Sequence, residues 1–315
     1  MLDTGLEEDA PLFIEEHLRE LRAQRYTPRA FATYARRVGA RVRVELLANP
    51  AAVRAIWTTA VAYFLAAFVC AGILALAGDR ELARRFLLGT ALWTLLGFGF
   101  VTLFVGLLRD AEGYRLPRLN VPLMLTLLRV SLIPGIGVFL TSHRFKTALV
   151  LYVLAGLTDV LDGLLARRWG QTTRLGTVMD PLVDIAFSLM ILWGLTASGL
   201  LSQWVFWIGL ARYAILMVGG AGLYLFVGPV KIRPTSFGRF TGVVMSAFIA
   251  LLTLLWAVSG RAAHALTQLT EIALGVLLAA TTVQIILVGW YNLRVMTGAA
   301  AEGGRVIEDV RFRSR

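Results

Sequence analysis

Four carboxylates fall inside a strongly apolar part of the chain, where a lipid-facing sequence should have none. Asp159 and Asp162 lie near the end of one apolar run, and Asp180 and Asp184 near the start of the next. An ionisable side chain at the centre of a membrane helix costs about 2.5–3.5 kcal/mol on insertion scales, so four of them need a compensating partner, most simply a metal ion. Spacings of three and four put each pair on one face of its own helix. Two such helices facing each other would present four carboxylates to one point. Oxygen ligands with no His or Cys nearby suit Mg²⁺ or Mn²⁺, hard ions that keep open positions for phosphates. Gly163 and Gly176 sit beside the two acidic pairs and let a bulky ligand or a second backbone come close. Arg167 offers a planar fork for phosphate.

Written out, Asp159-x2-Asp162-Gly163-x2-Ala166-Arg167-x8-Gly176-x3-Asp180-x3-Asp184 resembles the motif of the CDP-alcohol phosphatidyltransferase family, with no gap or substitution. Eight fixed positions coincide by chance on the order of once in 10⁸ tries, given average residue usage. The family's opening pattern, Asn-x-Pro-Asn-x2-Thr-x2-Arg, is kept at Asn120, Pro122, Thr126 and Arg129, with Leu123 in place of the second Asn. The resemblance covers residues 118–292 and implies a six-helix membrane core. In that family the hydroxyl of an acceptor alcohol attacks the β-phosphorus of a CMP-activated lipid such as CDP-diacylglycerol, and CMP leaves. The resemblance further implies two Mg²⁺ or Mn²⁺ ions held by Asp159, Asp162 and Asp180, with Asp184 as a further ligand or as general base. It assigns Asn120, Thr126, Arg129, Gly163, Ala166, Arg167, Thr173 and Gly176 to the CDP-lipid.

The Asn120–Arg129 opening and the stretch from Asp180 to Asp184 are most similar to the branch that makes phosphatidylglycerophosphate from glycerol 3-phosphate. That branch commonly has Ala-Asp-Lys where this chain has Val183-Asp184-Ile185, so a cation beside the acceptor is missing. Arg212, inside an apolar segment, is expected to bind the acceptor's phosphate with Lys231, Arg233 and Arg239, or else to snorkel to the interface. Other acceptors in the same family stay open: phosphatidylglycerol, as in cardiolipin synthase, inositol phosphate, or serine. A transporter with buried carboxylates is the reading from a different class, but it would not require Gly163, Ala166, Arg167 and Gly176 at these spacings. A non-catalytic scaffold would be free to lose an Asp, and none is lost.

The elements that must position these residues are membrane helices. The chain of 315 residues is 57% hydrophobic and only 16% charged, with mean hydropathy +0.71, which is too apolar for a soluble domain. The expected class is an all-α integral membrane protein. Eight apolar segments, at about 53–77, 86–108, 121–140, 146–166, 177–198, 203–226, 239–258 and 267–291, are each near the ~20 residues that cross a bilayer. The domains expected are a helical leader at 1–50, two extra transmembrane helices at 51–110, the catalytic core at 118–292 and a cytosolic tail at 293–315. Pro181 reads as a helix-start proline, or as a residue that opens the backbone beside the metal.

A net charge of +11 rests on 29 Arg and two Lys, and a lipid surface accounts for it better than nucleic acid does. Basic residues cluster in the leader, the 167–176 and 227–239 loops and the tail, which places those on the cytoplasmic side of a bacterial-type inner membrane together with the carboxylates. Arg80, Arg84 and Arg85 run against that pattern. Lone Cys70 excludes an internal disulfide, and the acidic first residues do not resemble a cleavable signal. In the leader, a first helix opens at Pro11, and Thr27-Pro28 reads as the cap and first position of a second. That second helix carries Phe31, Tyr34, Val38, Val42 and Leu46 on one face, and either lies on the interface or packs as a small hairpin. Gly209, Gly219, Gly220 and Gly222 suit close helix packing, internal or in the homodimer that the resemblance implies. Gly298, Gly303 and Gly304 suggest a flexible join over 297–305.

Overall fold

The computed structural model describes residues 18, 20–226, 236–259 and 264–313. The leader up to residue 17, Lys231, Arg233 and the side chain of Arg239 lie outside the described residues. What is described is helical, apart from turns and one isolated bridge between Arg109 and Arg115. Helix α1 spans Pro28–Ala48, α2 Pro50–Leu76, α3 Arg80–Leu103, α4 Val121–Thr141, α5 Phe145–Arg168, α6 Arg174–Ala197, α7 Gln203–Phe226, α8 Ser236–Ser259 and α9 His264–Arg313.

Local chemistry explains several of the starts. Thr27 caps α1, its hydroxyl accepting from the N–H of Ala30 at 3.3 Å, with Pro28 first in the helix. Asn49 caps α2 in the same way ahead of Pro50. Each of the eight expected membrane segments falls on a helix, α2 to α9. Seven of them are long and apolar enough to cross a bilayer, and α8 contributes the shorter apolar stretch Gly242–Ala257. Two limits differ from expectation. Helix α3 begins six residues early, where Glu81 pairs with Arg84 at 2.9 Å and Arg85 at 2.7 Å and makes a charged first turn tolerable. It ends at Leu103, and the short 3-10 turn Val105–Leu107 follows. There Gly106 meets Glu45 so closely that an added Cβ would lie 3.0 Å from that side chain.

The chain divides into two compact units, Met1–Gly199 and Leu200–Arg315. In the first, α4 is the hub. Helices α3, α5 and α6 all pack on it, and 72% of its apolar window is buried, against 17–28% for α2, α3, α5 and α6. Helices inside a bilayer gain little from leaving lipid, so close approach at small residues does the work. A Cβ at Gly97 of α3 would sit 2.7 Å from Val130 of α4, and one at Gly194 of α6 would sit 2.8 Å from Leu140. Helices α5 and α6 barely touch each other, so the two acidic helices do not face one another directly, as the spacing alone suggests. They meet across α4.

The two ends of this unit differ. At one end the turns after α2 and α4 are tied by an ion pair between Asp79 and Arg144. At the other, the start of α4, the end of α5 and the start of α6 come together with the leader. Here Glu45, 6% exposed, takes Arg115 at 2.9 Å, Arg41 at 3.1 Å and Arg109 at 3.4 Å. The carbonyl of Arg109 accepts the first N–H of α6, from Arg174, at 3.2 Å. The Asn49 amide donates to the Leu116 carbonyl at 2.9 Å. The leader helix is thus anchored on the unit by its last turns, while Phe31 stays 60% exposed.

In the second unit, α7 and α8 both pack on α9. The Trp204 ring lies against Gly275, where any side chain would collide with it. Of the small residues expected to pack closely, Gly209 is buried, but a Cβ added at Gly219, Gly220 or Gly222 would meet nothing within 4 Å among the described residues beyond its own stretch of helix. Helix α9 runs unbroken through the expected join at 297–305. A glycine costs only about 1 kcal/mol in a helix interior, and these three are interleaved with alanines that favour it.

Candidate active site

The site is assembled on α4. Arg129, 1% exposed, sends one guanidinium nitrogen to Asp159 at 2.7 Å and Asp184 at 2.9 Å, and the other to Asp162 at 2.5 Å. One turn earlier, the Thr126 hydroxyl lies 3.1 Å from the same Asp162 oxygen and 3.5 Å from Asp180. All four carboxylates therefore reach two neighbouring side chains of one helix. The partner that four membrane carboxylates require is, first of all, Arg129, where the sequence pointed to a metal ion. Arginine suits the position because its planar fork serves several carboxylates at once.

Arg129 offsets only one of the four negative charges. Opposed charges about 4 Å apart interact by about 4 kcal/mol at an effective dielectric of 20, so the surplus is a strong draw for a further cation. The donor set, carboxylates plus a hydroxyl and no nitrogen or sulfur, fits Mg²⁺ or Mn²⁺. Among the described residues, however, no three such ligands stand clustered as a preformed cage. The guanidinium occupies the point they share. The side chains also differ in access: Asp162 is 8% exposed, Asp159 53% and Asp184 59%.

A small cleft, about 70 Å³ in cavity volume, opens onto this cluster. Asp162 and Asp180 belong to its wall, and so do Asn120, Thr126, Gly163, Ala166, Thr173 and Gly176. Their placement follows from helix ends. Asn120 caps α4, accepting from the Leu123 N–H at 3.2 Å, and its amide donates to the Gln171 carbonyl at 2.5 Å, drawing the α5–α6 turn over the cleft. Gly170 makes that turn at φ +63°. Thr173 caps α6, accepting from the Gly176 N–H at 3.0 Å. A Cβ at Gly176 would stand 3.1 Å from that hydroxyl, so glycine keeps both the cap and the opening.

Two residues expected at the CDP-lipid are not part of the cleft wall. Arg129 points into the carboxylates. Arg167 is exposed one turn beyond Gly163, its guanidinium 3.4 Å from where a Cβ of that glycine would be. Pro181 is not at a helix start: α6 begins at Arg174, which puts the proline inside the helix directly after Asp180. Gln171, Thr172 and Thr177 also line the cleft. Sequence reasoning passed over them, although the polar run Gln171-Thr172-Thr173 between two membrane segments was a usable signal. Arg212 belongs to the second unit, where it donates to Thr281 at 3.0 Å and its guanidinium lies 4.7 Å from the Tyr213 ring centre.

Comparisons with known proteins identify the family. The family model described as CDP-alcohol phosphatidyltransferase matches residues 119–284, close to the 118–292 of the resemblance. The CDP-diacylglycerol–glycerol-3-phosphate 3-phosphatidyltransferase of Aquifex aeolicus is 30% identical over 176 residues, covering 55% of this chain and 93% of that protein. The enzyme of the same name from Cereibacter sphaeroides is 31% identical over 140 residues, 43% of this chain and 63% of its own. The cardiolipin synthase (CMP-forming) of Streptomyces coelicolor is 45% identical over 71 residues, 22% of this chain and 33% of its own. With five of the motif's residues in the wall of one cleft and the family model spanning α4 to α9, the chain belongs to the CDP-alcohol phosphatidyltransferase family, as a multi-pass membrane transferase of phospholipid biosynthesis.

Proposed function

We propose that the chain transfers the phosphatidyl group of CDP-diacylglycerol to glycerol 3-phosphate, giving phosphatidylglycerophosphate and CMP, at the cytoplasmic face of a bacterial-type inner membrane. The observation that carries this reading is the shared wall. Asp162 and Asp180 belong both to the carboxylate cluster and to the cleft whose other residues are those the family motif specifies. Thr173, Gly176, Gly163 and Ala166 receive the nucleotide, the two glycines leaving room for backbone-close contact.

In the reaction the acceptor hydroxyl oxygen bonds to the β-phosphorus, the phosphorus–oxygen bond to CMP breaks, and the hydroxyl proton passes to a carboxylate. Asp184 is the base: it is half-exposed, and Arg129 holds it through Oδ1 alone, which leaves Oδ2 for the proton. Asp162, buried between Arg129 and Thr126, is fixed rather than reactive. Asp159, Asp162, Asp180 and Asp184 would hold the two divalent cations, Mg²⁺ or Mn²⁺, which when bound neutralise the pyrophosphate and the departing CMP. Arg129 sets the orientation of three of these carboxylates before any ligand arrives.

The end of the first unit that holds the cleft also holds Arg41, Arg109, Arg115 and Arg174, the distribution expected of a cytoplasmic face. The dimer and an acceptor role for Arg212, Lys231, Arg233 and Arg239 belong to the same proposal. A second reading has its own support: the Streptomyces coelicolor relative is a cardiolipin synthase (CMP-forming), and Ile185 stands where the glycerol 3-phosphate branch has lysine. The acceptor would then be phosphatidylglycerol. CMP release by the purified protein in nanodiscs separates the readings, with glycerol 3-phosphate, phosphatidylglycerol, inositol 1-phosphate and serine offered in turn. Release with glycerol 3-phosphate alone is the expected result; release with another acceptor alone reassigns the product.

A further inference from the structure

We infer that an apolar groove between α3, α4 and α6 holds an acyl chain of the donor lipid, and that α3, outside the segment matched by the family, supplies one of its walls. The inference rests on the reading above that the donor is a CDP-activated lipid.

The groove has a cavity volume of about 270 Å³ and is open on one side. Trp93 and Phe100 of α3 form one wall, Val130 and Ile133 of α4 the floor, and Met179 and Val183 of α6 the other wall. The floor and the far wall are well ordered by packing, with Ile133 1%, Met179 3%, Val183 3% and Val130 5% exposed. Leu96 forms an outer lip and is 57% exposed. All three helices are long and apolar enough to cross a bilayer, so the occupant is hydrocarbon. Its width depends on Gly97, whose missing side chain lets α3 close on Val130.

Two facts favour the donor's own chain over bulk lipid. Val130 follows Arg129 in sequence, and Met179 and Val183 directly precede Asp180 and Asp184, so the floor and one wall are built from the same turns that carry the carboxylate cluster. A lipid with its pyrophosphate at those carboxylates has its glycerol and tails leaving at the same height. Helix α3 contributes nothing to the cleft that opens onto the carboxylates, yet it makes a large share of this groove. That combination gives the additional helical hairpin a part in donor recognition rather than in the chemistry.

The test compares CDP-dioleoylglycerol with CDP-dihexanoylglycerol as donors for wild type, Leu96→Trp and Ala186→Phe, Ala186 of α6 being a further lining residue, so that both changes narrow the groove while leaving all four carboxylates in place. Lost room for even one methylene is worth tenfold or more in a hydrophobic pocket. The expected result is about a tenfold rise in KM for the long-chain donor, with kcat and the short-chain KM unchanged. Equal changes for both donors, or none for either, would overturn the inference. A second measurement does not depend on turnover. CDP-diacylglycerol with a diazirine late in one acyl chain should label peptides of α3, and unlabelled CDP-diacylglycerol should compete while phosphatidylcholine does not. Labelling that phosphatidylcholine removes equally well would assign the groove to bulk lipid. If wild type releases no CMP with any acceptor, the proposed reaction fails, while the labelling still reports on the groove.

Discussion

The tie between the leader and the rest of the first unit can be tested at Glu45→Gln. The substitution keeps the shape of a side chain that is 6% exposed and removes the carboxylate that Arg41, Arg109 and Arg115 share, their side chains being 18%, 12% and 38% exposed. Breaking a buried ion pair by deleting one partner costs about 3–5 kcal/mol, because it strands the charge left behind. Arg115 is accessible enough to turn to water, and its share is that of a surface pair, about 1 kcal/mol or less. Arg41 and Arg109 carry the rest, which puts the expected loss near the lower bound, about 3 kcal/mol. For a folded unit of roughly 200 residues that lowers the midpoint by about 6–12 °C. The assay is the fraction of protein that stays monodisperse in detergent after brief heating, read on a size-exclusion column. The double variant Glu45→Gln with Arg109→Gln removes one stranded charge and should regain about half of the loss. Because the Arg109 carbonyl holds the first N–H of α6, next to Thr173, the single variant should also raise the KM for the donor more than it lowers kcat. A single variant that melts within about 1 °C of wild type, or a double variant no better than the single, would refute the argument from a buried charge.

Asp184→Asn should lower CMP release by about 10²–10⁴, the share of a general base, while the protein inserts and purifies like wild type; retained release would remove Asp184 from that role. Gly176→Val places a branched side chain at the Thr173 cap, where even a Cβ stands 3.1 Å from the hydroxyl. It should cost about 1 kcal/mol of stability for the lost cap together with a raised donor KM, measured by heating and by CMP release. Chelation should abolish release, and returning Mg²⁺ or Mn²⁺ should restore it and raise the midpoint, by up to about 2.7 kcal/mol of stability at a hundred times the dissociation constant. In Asp159→Asn with Asp180→Asn that thermal response should vanish; its survival would place the ion elsewhere.

What could be read from the sequence was whatever short-range spacing encodes. The spacing of the carboxylates, the glycines beside them and the cap at Thr27 all depend on residues within a few positions of one another; Thr27 caps its helix as expected, whereas the caps at Asn120 and Thr173 emerged only with the fold. The role of Arg129 did not have that form. Its partners lie 30, 33 and 55 residues away, and nothing in the Asn120–Arg129 pattern separates an arginine that holds phosphate from one that holds carboxylates. Glu45 was hidden for a related reason. Among so many arginines a single acid reads as solvated, and only the approach of the Arg109–Arg115 loop makes it a buried hub. The end of α3 was obscure because Val105–Leu107 is as apolar as the helix before it, and the break there depends on backbone contact at Gly106.

The central position of α4 also bears on how the chain is made. Synthesis delivers α2 and α3 to the membrane first, then α4 with Arg129, and only later the helices that carry its partners Asp159, Asp162 and Asp184. For that interval α4 holds a charge whose insertion costs about 2.5–3.5 kcal/mol with no carboxylate to meet it. Waiting beside it is the α2–α3 hairpin, whose Gly97 leaves a seat for Val130, the residue next to that arginine. A hairpin that precedes the segment matched by the family can thus act as an internal holding surface, keeping a costly helix in the bilayer until the residues that neutralise it emerge.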